Sequence, residues 1–154
     1  MIFILMIGLL VVSKARGNCP DGFVQFRESC YHFSHSRETW MGAQVACKEA
    51  FFPTKANLVK IDDQAENQFL FRQAQATRTE YWIGASDLQV KGVYRWLNSG
   101  QEVGTYFNFW IYSGNPSGGP EHCMEISLNT NNVPFWNDQT CTDFQHFICE
   151  TAAK

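Results

Sequence analysis

Six cysteines in a chain of 154 residues constrain what this sequence can fold into more than any other feature. Cys19, Cys30, Cys47, Cys123, Cys141 and Cys149 are even in number and all follow an apolar N-terminal run, Met1 to Val12. That combination reads as three disulfides closed in an oxidising compartment. A zinc site is the rival use, but no Cys-x2-Cys or paired-histidine spacing accompanies the cysteines. Many pairings are open to six cysteines, and spacing alone does not choose among them.

The apolar run is followed by Ala15-Arg16-Gly17, which puts small residues at the two positions a signal peptidase inspects. Residues 1–17 are therefore expected to be a cleaved secretory signal peptide and residues 18–154 one folded domain. The run is shorter than the roughly 20 residues a membrane-spanning helix needs, so a membrane is not expected as partner and the domain is expected outside the cell. A hydrophobic content of 45%, with 15% aromatic, is enough for one core and argues against disorder. The formal net charge is −3, and it becomes more negative once Lys14 and Arg16 leave with the leader. With no basic cluster, nucleic acid is not expected as a partner.

Along the chain, Cys19 to Cys30 encloses Phe23, Val24 and Phe26 and reads as a small hairpin. Trp40, Ala43, Cys47 and Ala50 recur at three and four residues, which predicts a helix over Ser36 to Ala50 with one buried stripe. Leu58 to Ile61 reads as a short strand. Asp63 and Glu66 form a helix start of the capping-box type, leading into Ala65, Phe69 and Leu70 on one face. After Thr79 the pattern becomes short strands: Tyr81 to Gly84, Val93 to Leu97, Met124 to Leu128, Phe135 to Asn137 and Phe147 to Cys149. Between Trp96 and Cys123 lies a long Gly-, Asn-, Ser- and Pro-rich loop, and long loops in compact domains usually carry function. Two helices with such strands make an α+β domain.

The residues Tyr81-Trp82-Ile83-Gly84-Ala85, Trp136-Asn137-Asp138 before Cys141, and Phe147-Ile148-Cys149-Glu150 make the chain resemble a C-type lectin domain in its long form, over nearly all of residues 18–154. That resemblance implies a C-type lectin-like fold: two helices, short antiparallel sheets and a long loop region. It also implies the pairing Cys19 with Cys30, Cys47 with Cys149, and Cys123 with Cys141. Gly84-Ala85-Ser86-Asp87-Leu88 and Gly118-Gly119-Pro120-Glu121-His122-Cys123 look like stretches of shell-matrix lectins within the family.

The chemistry implied is calcium-dependent sugar binding. Ca2+ takes about 6–8 oxygen ligands, and in this family two sugar hydroxyls complete the shell. Carried over position by position, the metal and carbohydrate ligands are Asn115 and Ser117 around Pro116, then Glu121, Asn137 and Asp138. The resemblance implies a cis bond before Pro116, which X–Pro tolerates. Asn115 and Asn137 would offer carbonyl oxygens to the ion and NH2 groups to sugar oxygens. Mannose-type members carry Glu-Pro-Asn at the specificity loop and galactose-type members Gln-Pro-Asp, whereas Asn115-Pro116-Ser117 adds no carboxylate. The expected affinity is correspondingly weak, near the roughly 10⁻⁴–10⁻³ M of extracellular calcium modules, with a lean toward galactose over mannose glycans. A second calcium position is not expected: Asp87 matches one ligand position, but Lys91 and His122 stand where acids would be needed.

Other uses of these residues are weaker. Trp136-Asn137-Asp138 alone could be a strand-to-turn transition. Trp40, Trp82, Trp96 and Trp110 read as core, His32 and His35 as exposed residues at a strand end, and Tyr106, Phe107, Phe109 and Tyr112 as packing residues of the long loop. Enzymatic function is not expected: Gly-x-Ser-x-Gly, His-Glu-x-x-His and phosphate-binding glycine loops are missing. Two further roles share the same site: a shell-matrix component meeting calcium carbonate or matrix polymers, and an immune lectin for microbial glycans.

Overall fold

The structure, a computed structural model, describes residues 18–104, 116 and 119–154. The leader assigned to residues 1–17 lies outside them. Within the described residues the chain runs β1 (Val24–Phe26), β2 (Ser29–Phe33), α1 (Trp40–Glu49), β3 (Asn57–Leu58), α2 (Gln64–Thr77), β4 (Tyr81–Ser86), β5 (Arg95–Trp96), β6 (Cys123–Leu128), β7 (Pro134–Gln139) and β8 (His146–Ala152). The strands lie in the order β1-β2-β8-β4-β6-β7, with β3 added to β8 and β5 to β4. Every ladder is antiparallel except β4 with β8, where Tyr81 and Trp82 face His146 and Phe147 in parallel.

The α1 stripe is as the spacing predicts, with Trp40, Ala43 and Cys47 buried. The helix begins later than Ser36, however. Glu38 and Gln145 exchange two backbone hydrogen bonds, of 2.9 and 3.0 Å, so the chain before Thr39 is extended. Thr39 is the N-cap and accepts from the Gly42 N–H. At α2, Asp63 caps as expected, accepting from the Glu66 N–H at 2.8 Å, but the Glu66 carboxylate reaches past the cap to the Asp62 N–H at 2.7 Å. The expected strand at Leu58 to Ile61 is shorter, because the Val59 carbonyl is taken by the Gly84 N–H of β4 at 2.8 Å. A Cβ on Gly84 would stand 2.8 Å from the Leu58 carbonyl oxygen, so this approach requires glycine.

Two apolar clusters fill the interior. One gathers Phe69 and Leu70 of α2 with Ile83, Met124, Ile126 and Trp136, and the other Trp40 and Cys47 of α1 with Trp82 and Cys149. Three buried indoles find acceptors: Trp40 on the Ile83 carbonyl, Trp82 on the Glu38 carbonyl, Trp136 on the Asn67 side chain. Trp96 is buried as well, while Trp110 lies outside the described residues. The cysteines pair 19–30, 47–149 and 123–141. The second bridge ties α1 to β8, and the third fixes the start of β6 to the turn after β7. His32 is half-buried rather than exposed, packed between Phe23 and Phe51.

Candidate functional site

One end of the β4-β6-β7 sheet collects the acidic residues. Ser86 at the end of β4 pairs with Cys123 at the start of β6, and Cys123 pairs with Gln139 at the end of β7. Three segments therefore stand side by side: Asp87 leaving β4, Glu121-His122 entering β6, and Asn137-Asp138 leaving β7. Backbone bonds join them, from the Asp87 N–H to the His122 carbonyl (3.0 Å) and from the His122 N–H to the Gln139 carbonyl (3.1 Å). The Cys123–Cys141 disulfide closes the same end.

Strand alternation sends Asn137 and Asp138 to different partners. Asp138 is 0% exposed, and its Oδ2 accepts from the Tyr94 hydroxyl at 3.2 Å. Asn137 is half-buried and donates through Nδ2 to Glu125 Oε1 at 2.8 Å. One of its two amide N–H groups is thus used within the protein, and the carbonyl end of the amide is left for another partner. Glu125, 1% exposed on β6, also accepts from Gln145 Nε2. Burial pushes its carboxyl up to about 8 against the hydrogen bond from Asn137, with Glu80, Glu121 and Asp143 adding to the rise.

The Tyr94 phenol shows how much negative charge gathers here. Burial first, then the carboxylates of Asp138, Asp87 and Glu121, push its ionisation far above the ordinary phenol range. A concentration of carboxylate is donor chemistry that a hard dication takes. Among the described residues no three His, Cys, Asp or Glu side chains stand close enough to hold an ion by themselves. The amide oxygen of Asn137 and donors from the adjoining loop are needed to complete a shell. Asn115 and Ser117, the ligands expected from that loop, lie outside the described residues, as do the Asn115–Pro116 bond and Tyr106, Phe107, Phe109 and Tyr112. At the second position Asp87, 3% exposed, is held by His122 Nδ1 at 2.7 Å and by the Gly92 N–H at 2.7 Å, while Lys91 Nζ reaches the Gly119 carbonyl at 3.4 Å.

Tyr94, Glu125 and Gln145 escape a reading of the sequence alone. Glu125 leaves the clearest sign, an acid inside the apolar run Met124 to Leu128 on a strand buried on both faces. A cavity of about 890 Å3 opens elsewhere, between the β1–β2 turn, the start of α2 and the end of β8.

The sequence pattern of the Lectin C-type domain family matches residues 36–151. The chain belongs to the C-type lectin domain family. Perlucin of Haliotis laevigata is 38% identical over 136 residues, which cover 86% of this chain and 82% of perlucin. The human CD209 antigen is 32% identical over 135 residues, 88% of this chain but only 31% of that protein. Among solved structures, the C-type lectin domain of murine dendritic cell inhibitory receptor 2, determined in complex with N-glycan, matches with a TM-score of 0.75 at 27% identity, covering 88% of this chain and 99% of that one. C-type lectin domains are carbohydrate-binding modules, not enzymes. Among the described residues no helix is long and apolar enough to cross a membrane.

Proposed function

We propose that this chain is a secreted lectin that binds glycans through calcium, with residues 1–17 removed as a signal peptide and residues 18–154 forming the binding domain. What supports the reading is the acidic sheet end where the segment Glu121-His122 enters β6 beside β7, which carries Asn137 and Asp138, inside a C-type lectin domain. Bound there, calcium supplies a Lewis-acidic centre onto which two neighbouring sugar hydroxyls can dock. Glu121 and Asp138 provide charge, Asn137 provides a carbonyl oxygen oriented by Glu125, and Asn115 and Ser117 complete the set from the loop. The missing loop carboxylate makes the binding weak and leans it toward galactose-type sugars.

The test is affinity chromatography. Retention on immobilised galactose or mannose in millimolar calcium, release by a chelator, and loss of retention in a Glu121→Gln, Asp138→Asn variant that keeps its circular dichroism are the expected results. No retention on either sugar overturns the reading. A second role, in a mineral matrix, draws on the similarity to perlucin. Calcium carbonate nucleation that persists in the same double variant would favour it over sugar recognition.

A further inference from the structure

We propose that the cavity between the β1–β2 turn, the start of α2 and the end of β8 binds a primary ammonium on an aliphatic stem, held between Glu66 and Glu150. At about 890 Å3 the cavity has the size of a small-molecule cleft, and its lining joins an aromatic wall, Phe26 and Tyr31, to converging polar groups. Tyr31 faces Glu150 across the β2–β8 ladder and donates its hydroxyl to Glu66, which brings the two acids to one place. Glu66, 6% exposed, takes the Tyr31 hydroxyl on one oxygen and the Asp62 N–H on the other, both at 2.7 Å. Half-buried Glu150 takes Ser29 Oγ at 2.8 Å and the Lys60 N–H at 3.2 Å. All four donors are neutral, so each carboxylate oxygen keeps a lone pair to offer. Among the described residues the cations at the rim go to other acids, Arg27 to Asp63 and Lys60 to Asp62. Two carboxylates withdrawn from water without a counter-charge are costly, and a cation arriving between them removes that cost. Burial, and then the charge of Glu66, push Glu150 up to about 7, as befits an acid with no cation beside it.

The class of ligand follows from the lining. An ammonium carries three donors on a compact head and can divide them between two carboxylates, whereas a planar guanidinium is built to take both oxygens of one. A metal ion does not fit, because among the described residues no three His, Cys, Asp or Glu side chains stand close enough to hold one. Phe26 and Ala152 give an alkyl stem an apolar path to the acids. The inference does not rest on the calcium reading, and its test is run in chelator so that either can fail alone.

NMR titration of the protein with n-butylammonium and with n-butanol, at about pH 7.5, reads the backbone N–H signals of Ser29, Lys60, Asp62 and Glu150. The amine is expected to shift these signals saturably and the alcohol to leave them in place. Glu150→Gln is expected to weaken the amine about tenfold, the loss of one charged hydrogen bond, while Glu49→Gln, on exposed α1 surface outside the cavity, changes nothing. Ala152→Lys, which sets an ammonium of the chain's own at the cavity while leaving both acids in place, is expected to abolish uptake and serves if the Glu150 variant does not fold. A blocked lysine peptide and glucosamine then tell a protein-borne amine from a sugar-borne one, and binding of either supports the site. Equal shifts from amine and alcohol, shifts that do not saturate, or unchanged affinity in both cavity variants overturn the inference.

Discussion

Glu150 shows how one carboxyl can make the whole domain sensitive to pH. It follows Cys149 on β8, where Ser29 Oγ donates to one oxygen at 2.8 Å and the Lys60 N–H to the other at 3.2 Å. Burial and the neighbouring charges of Glu66 and Asp62 push it up to about 7, and burial raises Glu66 as well. A carboxyl with a folded pKa above its unfolded value binds its proton more tightly in the native state. Its contribution is therefore fully present below about pH 4.5 and is lost as pH rises through about 7. Glu150→Gln keeps an accepting oxygen for the Lys60 N–H, lets its NH2 donate to Ser29 Oγ in place of the present bond from Ser29, and removes the charge. Urea denaturation is expected to find it close to the wild type at pH 4.5 and about 1–3 kcal/mol more stable at pH 8. A variant that is less stable at pH 8 would mean that the ionised form is the one the fold prefers.

At the scale of the elements, both helices are started by a capping side chain, of which the sequence advertises only Asp63. Thr39 and Asp63 each accept a backbone N–H of the first turn, and Asp63 also pairs with Arg27. The Glu66 N–H is the main reason that the Asp63 carboxyl lies below its ordinary range. Asp63→Ala is expected to cost about 1 kcal/mol, measured by thermal unfolding near neutral pH, and a loss under 0.3 kcal/mol would make the cap dispensable. The helical stripes and the aromatic strands were legible because their signals are local. The late start of α1 was not, since it depends on Gln145, a partner far along the chain. The truncation of β3 is of the same kind: it follows from the close approach of Gly84, which no periodicity reveals. Glu121 and Asp138 entered as candidates through the family resemblance, position by position. Tyr94 was hidden because a tyrosine among short strands reads as core until its hydroxyl is seen to reach Asp138.

Across the whole molecule, the Cys47–Cys149 bridge spans 102 residues and joins α1 to the strand at the centre of the sheet. Replacing both cysteines by alanine is expected to cost about 2–5 kcal/mol, because the unfolded chain regains the freedom of a long loop. Equilibrium denaturation against the intact protein checks it, and a loss below 1 kcal/mol would assign the cohesion of the two apolar clusters to packing alone. Those clusters also hold indoles in fixed surroundings. Trp136, 1% exposed, lies two residues before Asp138 on β7, with its ring edge-on to Trp96 at 6.4 Å. An emitter sealed beside the carboxylate turns this end of the sheet into its own optical gauge, so that arrivals there can be followed by light from the native chain, with neither dye nor label attached.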